Sequence, residues 1–442
     1  MFFELVARFC HGYGSEFLSS VNVIPIYVLS SLLGMTESHS INNLLKISSL
    51  FFEQIVLQSW SETIKALRST GWSRRSAAEL GLLDACLDCL VKNALAKPRL
   101  LGSEVEDDGE RLTSRRRLFA NECKWEDLGS LPLELYEQAI MAMNHRGVDP
   151  KYVAASVYNY AKLHVVEDEN SIAIPQASKR GVIEAVERMI PDQKWLLPTS
   201  FLFHLLRVAV LLESSDDCRN GLEFRIGMQL EEATVEDLLI PSHGCMKEMK
   251  YDIDCVKRIL KHFYSNYADS SDVSELIVVA KLVEDFLMEI SDDPDLKIET
   301  FVLLAKTSKA ASTGIKEKGD GIYKAVNIFL GKHSHLTESE KEEVCKVLEG
   351  LKFSPGALEH AAKNSKLPVR IVTQLLFSAQ LQLRERVVGD GDDGDDGEKG
   401  LKVEDEAMAG LERMSKRVKE LEKKCLSIRK EIEGCHHESL KK

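Results

Sequence analysis

Apolar side chains recur along almost the whole chain at the spacing of an α-helix. Ile322, Ala325, Val326, Phe329 and Leu330, for example, fall at i, i+3, i+4, i+7 and i+8, a single stripe of a 3.6-residue period. Sustained alternation with period two, the mark of a half-buried strand, is missing. Such a chain buries its stripes by packing helix on helix, so the expected fold class is all-α, with an elongated multi-helix domain. With 442 residues, 44% of them hydrophobic, the apolar surface suffices for two or three cores. No constant repeat of about 20–50 residues accompanies the helices.

Capping residues support the same reading. Thr337 with Glu340 and Thr234 with Asp237 have capping-box spacing, and Ser354-Pro355 places an N-cap before a proline at the first helical position. Three breaks interrupt the periodicity. Lys97 to Arg117 carries Pro98, Gly102, the acidic stretch Glu104 to Glu110 and the basic Arg115, Arg116 and Arg117, and reads as a mobile loop. Asp168 to Lys179 is a modest polar excursion. Gly389 to Glu406 holds nine acids against two lysines, a local net of −7 within a total of −13, and reads as a flexible, self-repelling linker.

Beyond that linker Leu411, Met414, Val418, Leu421, Cys425, Ile428 and Ile432 are spaced 3, 4, 3, 4, 3, 4. This is an a/d heptad seam, the signature of a coiled coil through which the chain would form homo- or hetero-oligomers. In a parallel dimer Arg417 would face Glu422, which attracts, and Lys424 would face Arg429, which repels. The same helix carries eight basic residues (Arg413, Lys416, Arg417, Lys419, Lys423, Lys424, Arg429, Lys430) against three acids between Leu411 and Lys430. A basic amphipathic helix lying on an anionic membrane is therefore the competing reading of the segment.

Bulk charge and the missing motifs exclude several classes. A net charge of −13 disfavours nucleic acid as a partner. Met1 to Phe9 lacks the pattern of a secretory signal. The longest apolar run, Phe201 to Leu212, is twelve residues interrupted by His204 and Arg207, short of the roughly 20 needed to span a bilayer. The expected location is cytoplasmic, with contact at the plasma-membrane periphery if the basic helix binds lipid. No G-x-x-x-x-G-K-[ST], G-x-G-x-x-G, G-x-S-x-G or H-E-x-x-H occurs, so a non-catalytic protein without cofactor or metal is expected.

Cysteine and histidine point the same way. The ten cysteines form no framework suited to secretion. Cys86 and Cys89 make a C-x-x-C, but no second ligand pair completes a zinc site and no βαβ pattern surrounds it; two core cysteines on one helix face is the simpler reading. Cys435, His436 and His437 are soft ligands on adjacent positions near the chain end, a poor arrangement for a metal.

Several blocks resemble a known family. Phe224-Arg225-Ile226-Gly227-Met228-Gln229-Leu230-Glu231-Glu232-Ala233-Thr234 leads into Asp237-Leu238-Leu239-Ile240-Pro241-Ser242. Tyr251-Asp252-Ile253-Asp254-Cys255-Val256-Lys257-Arg258-Ile259-Leu260, Asp320-Gly321-Ile322-Tyr323-Lys324-Ala325-Val326, Leu336-Thr337-Glu338-Ser339-Glu340 and Leu367-Pro368-Val369-Arg370 follow. In order and content these resemble the central domain of the plant BTB/non-phototropic-hypocotyl family over about residues 122 to 386. Phe3-Glu4-Leu5-Val6-Ala7-Arg8-Phe9-Cys10 and Gly34-Met35-Thr36-Glu37 are similar to the closing helices of that family's BTB fold, whose opening strands and helices would precede Phe2.

The resemblance implies residues 1–40 as a partial BTB portion, 41–97 as post-BTB helices, 98–121 as the charged loop and 122–388 as the family's helical domain. The acidic linker (389–406), coiled coil (407–434) and tail (435–442) complete the chain. It also implies a substrate-recognition adaptor of a cullin-based ubiquitin ligase. Cullin would be held by the BTB part, an expectation weakened by the missing opening elements, and client proteins by the central helices. Links to phototropism and auxin signalling come with the family. A membrane-peripheral scaffold without ligase coupling is the second expectation. The polar residues singled out for partner binding are Tyr251, Asp252, Asp254, Arg258 and Tyr323. Against this, Asp252 or Asp254 would simply complement a helix dipole, and Tyr323 would be a core residue with its hydroxyl satisfied.

Overall fold

A computed structural model describes residues 2–102, 126–166, 176–242, 250–267, 273–312 and 319–389. Among these the regular structure is helical, as the period-3.6 pattern requires, and the sole β feature is an isolated antiparallel bridge between Pro241 and Tyr251. The coiled-coil seam, the acidic linker, the terminal Cys-His-His cluster and most of the charged loop lie outside the described residues. The chain divides into two compact units, Met1–Gln229 and Leu230–Lys442, with the boundary inside the segment read as one central domain.

In the first unit α1 (Phe2–Cys10), α2 (Val23–Leu32) and α3 (Leu44–Gln54) gather around Val6, Ile26 and Leu44, with Phe9, Leu18 and Met35 packed on their flank. Next come α4 (Trp60–Arg68), α5 (Arg74–Glu79) and α6 (Leu82–Ala96). Cys86 and Cys89 sit buried in α6, the Cys89 thiol donating to the Leu57 carbonyl at 3.1 Å, so the C-x-x-C serves the core. The helix stops where Pro98 denies it a backbone donor.

After the short α7 (Glu126–Gly129), α8 (Leu133–His145) and α9 (Pro150–Ala161) pack through Tyr136 and Tyr160, whose rings stack at 3.8 Å. The buried Tyr136 hydroxyl is satisfied by Ser156 at 2.9 Å. The unit closes with α10 (Gln176–Met189), α11 (Thr199–Leu211) and α12 (Asp216–Gly227). Helix α10 begins at Gln176, inside the polar excursion expected to reach Lys179.

The second unit holds α13 (Val235–Leu238), α14 (Ile253–Tyr267), α15 (Val273–Ile290), α16 (Ile298–Ser312), α17 (Asp320–Lys332), α18 (Glu338–Cys345), α19 (Pro355–Lys363) and α20 (Val369–Gly389). Helix α15 packs on both α16 and α17, and fully buried Phe286, Phe301 and Phe329 form the centre. Phe301 and Phe329 stack at 4.4 Å, and His333 stacks on Phe329 at 3.9 Å. The capping expectations hold: Thr337–Glu340 and Thr234–Asp237 are capping boxes, and Ser354 caps α19 ahead of Pro355.

Gly321, inside α17, is required by its neighbour. A Cβ there would overlap the carboxylate of Glu284, a buried side chain of α15. The carboxylate thus sits within the first turn of α17, where the unpaired N–H groups and the helix dipole favour a negative charge.

Candidate partner-binding site

The residues singled out from the sequence fall at a helix cap, on the exposed surface of α14 and in the core. Asp252 precedes α14 and its Oδ1 accepts the Cys255 N–H at 3.0 Å, an N-cap interaction. Asp254, exposed in the first turn of α14, pairs with Lys257 at 3.0 Å. Tyr251 closes the bridge to Pro241, flanked by Asp252 N–H to Ile240 carbonyl at 2.8 Å and Ser242 N–H to Lys250 carbonyl at 3.2 Å. Arg258 is exposed on α14. Asp252 thus caps the helix from outside it, while Asp254 makes a surface ion pair within its first turn.

Tyr323 is 4% exposed. Its hydroxyl lies 2.6 Å from His360 Nδ1 and accepts from Asn364 Nδ2 at 3.4 Å, while the same amide donates to Asn327 Oδ1 at 2.8 Å. Burial raises the tyrosine pKa, and the Asn364 hydrogen bond partly offsets that. This network ties α17 to α19.

A shallow cleft in the first unit combines apolar lining with an arginine. The segment Pro191 to Pro198, between α10 and α11, lies against the end of α12. Arg225 Nη1 donates to the Pro191 carbonyl at 3.0 Å, and Gln229 Nε2 donates to the Leu197 carbonyl at 2.9 Å, so residues of and just after α12 fasten the loop at both ends. Between these points Trp195 adopts φ 63°, a left-handed conformation unusual for a bulky residue. Its N–H donates to Gln229 Oε1 at 2.7 Å. Gln229 is buried and also donates to Thr199 Oγ1 at 2.9 Å, so the strained backbone is over-determined by its surroundings.

The cleft is lined by apolar Ile190, Leu196, Leu202, Phe224 and Met228 together with Arg225. Its enclosed room is about 30 Å³, space for one or two waters, so it is a shallow depression open to solvent. Phe224 stands 43% exposed at the edge. Arg225 pairs with Glu187 at 3.4 Å and with Asp192 at 3.2 Å. Burial raises the Glu187 pKa against the pull of Arg225. Asp192 is almost fully exposed, so an incoming acceptor can replace it at Arg225 at little electrostatic cost. Lys194 lies 5.8 Å from the Trp195 ring centroid at the same rim.

The matching family model is described as the NPH3 family and covers residues 122–358, more than half of the chain. The chain belongs to the NPH3 family. Its curated relatives include BTB/POZ domain-containing protein At5g17580 of Arabidopsis thaliana, 44% identical over 394 residues that cover 87% of this chain and 71% of the relative. BTB/POZ domain-containing protein At3g03510 of the same plant is 41% identical over 388 residues, again 87% and 71%. A third, At1g30440, is 32% identical over 508 residues, 98% of this chain and 76% of the relative. No solved structure matches the chain.

The cleft was only partly legible in the sequence. Phe224 to Gln229 stands within a family block, but nothing local marks Gln229 as the anchor of a residue 34 positions earlier. The one signal was the pair Pro191 and Pro198, which brackets a short irregular segment. Among the described residues no group of three His, Cys, Asp or Glu could hold a metal, and no helix is long and apolar enough to cross a membrane.

Proposed function

We propose that this NPH3-family chain is a non-catalytic adaptor whose client docks an apolar side chain into the 190–197/α12 cleft, with an acceptor beside it for Arg225. The observation that carries the reading is the strained loop held open over apolar residues. A rigid, preformed concavity lowers the ordering cost of binding. The buried thiols supply no activated nucleophile. Burial raises Cys86, lifts Cys218 to about 11 and lifts Cys345 to about 12, the behaviour of inert core cysteines.

The family resemblance extends this reading to a cullin-based ubiquitin ligase, with phototropic or auxin-related signalling as the setting. Helices α1 to α3 would then be the closing part of a BTB fold, and cullin its partner. Proximity labelling in plant cells with wild-type chain and Phe224→Asp tests client docking. A set of labelled proteins lost with the variant supports it, and an unchanged set refutes it. Purified cullin mixed with the chain tests ligase coupling separately, since absence of a complex by light scattering removes the ligase from the account and leaves client recognition standing.

A further inference from the structure

The hydrogen bonds around Tyr323 fix where each of their protons lies. Lys366 N–H donates to Asn364 Oδ1 at 3.0 Å, so the amide turns its Nδ2 toward α17. That nitrogen donates to Asn327 Oδ1 at 2.8 Å and to the Tyr323 hydroxyl oxygen at 3.4 Å. The hydroxyl keeps its own proton to give, and its other partner is His360 Nδ1 at 2.6 Å. Donation to the imidazole makes Nδ1 an acceptor, which requires a neutral ring with its proton on Nε2. In the reverse arrangement, with Nδ1–H donating, a buried tyrosine would face two donors and have no acceptor for its proton.

We infer that His360 is a proton-operated latch: its neutral imidazole fastens α19 to α17, and uptake of a proton releases α19. An imidazolium carries N–H on both nitrogens and has no acceptor left for the Tyr323 hydroxyl. His360 is exposed, so solvent protons reach the ring without prior unfolding. The range in which histidines take up a proton is about pH 7.5 to 5.5. The latch is therefore closed at the upper end of that range and opens as pH falls through it. Helix α19 is nine residues long and buries only Leu358 and Ala361, so its polar ties to α17 are a large share of what docks it.

The charges nearby do not hold a protonated ring in place. Asp320 of α17 is engaged by the Ser354 N–H at 2.9 Å, and on α19 itself Glu359 pairs with Lys363 at 2.7 Å. Arg370 of α20 lies 3.9 Å from Glu342 of α18, and Lys366 Nζ packs against Gly331 of α17. Among the described residues no carboxylate forms an ion pair with His360, so the imidazolium gains no partner in exchange for the hydroxyl it loses. The tie from Ser354 to Asp320 remains, which makes α19 a flap anchored at its first turn and freed beyond it.

The test is hydrogen exchange read by mass spectrometry on the full chain at pH 7.5 and pH 5.5, with rates corrected for the pH dependence of intrinsic exchange. In the wild type, peptides covering 355–363 should exchange about tenfold faster at the lower pH, the effect of one hydrogen bond lost. Tyr323→Phe should show the fast rate at both pH values. His360→Asn places an amide oxygen where Nδ1 stood, an acceptor that does not titrate, and should keep the slow rate at both. Three outcomes overturn the inference: wild-type 355–363 peptides indifferent to pH, a pH response retained in His360→Asn, or an acceleration shared equally by α14, α15 and α16.

Discussion

Gln229 holds Trp195 in a left-handed backbone conformation by accepting its N–H at 2.7 Å across 34 residues of sequence. The other end of the same amide binds the Leu197 carbonyl and Thr199 hydroxyl, so one buried side chain sets the shape of the cleft loop. Gln229→Ala should leave those buried groups without partners and cost about 2–3 kcal/mol. Trp195→Gly should lose less, because relief of about 1 kcal/mol of backbone strain offsets the lost ring contacts. Urea unfolding of the two variants checks the order; equal losses would show that the amide network does not hold the loop.

Gly321 and Glu284 provide a second test. Gly321→Ala drives a methyl into the Glu284 carboxylate and should cost about 1–3 kcal/mol. In the Glu284→Ala background the same change should cost markedly less, giving a coupling energy of about 1 kcal/mol or more in a double-mutant cycle. Additive losses would mean that the glycine is there for another reason.

Acid should weaken the first unit through carboxylates held below their ordinary value. The Ser215 backbone N–H, 2.8 Å from Glu184, is the main cause of the lowered Glu184 pKa, and Lys65 followed by Ser20 lowers Glu62. A carboxyl depressed in the folded state contributes stability above its unfolded value of about 4.5, and that contribution is lost as pH falls through the depressed value. Thermal midpoints should therefore drop between pH 6 and pH 3, and by less in Glu184→Gln. An identical drop in that variant would remove Glu184 from the explanation.

Tyr323 separates packing from recognition. Tyr323→Phe removes a hydroxyl from the His360 and Asn364 network and should reduce stability by about 1 kcal/mol, with partner capture unchanged. Loss of capture at unchanged stability would restore Tyr323 as a contact residue.

The difference between what was legible and what was not follows from range. Helices, both capping boxes, the Ser354 cap and the buried Cys86–Cys89 pair depend on residues three or four apart, so periodicity exposed them. Asp252 was singled out for partner binding, with a helix-dipole charge as the alternative; its N-cap bond to Cys255 is a relationship across three residues that local reasoning passed over. The fate of the Tyr323 hydroxyl depends on His360, 37 positions away, and the cleft depends on Gln229, so neither is visible without the packed helices. Gly321 looked like one letter of a family block until Glu284 was seen to occupy the space a side chain would need.

The most direct test of the adaptor reading is a photo-crosslinking amino acid placed at Phe224 and, as a control, at the more exposed Leu211 on α11. Adducts with discrete partner proteins at Phe224, absent at Leu211 and abolished by adding Gln229→Ala, are the expected result. Adducts that are the same at both positions, or that survive loss of the Gln229 anchor, would contradict a cleft built to grip a client.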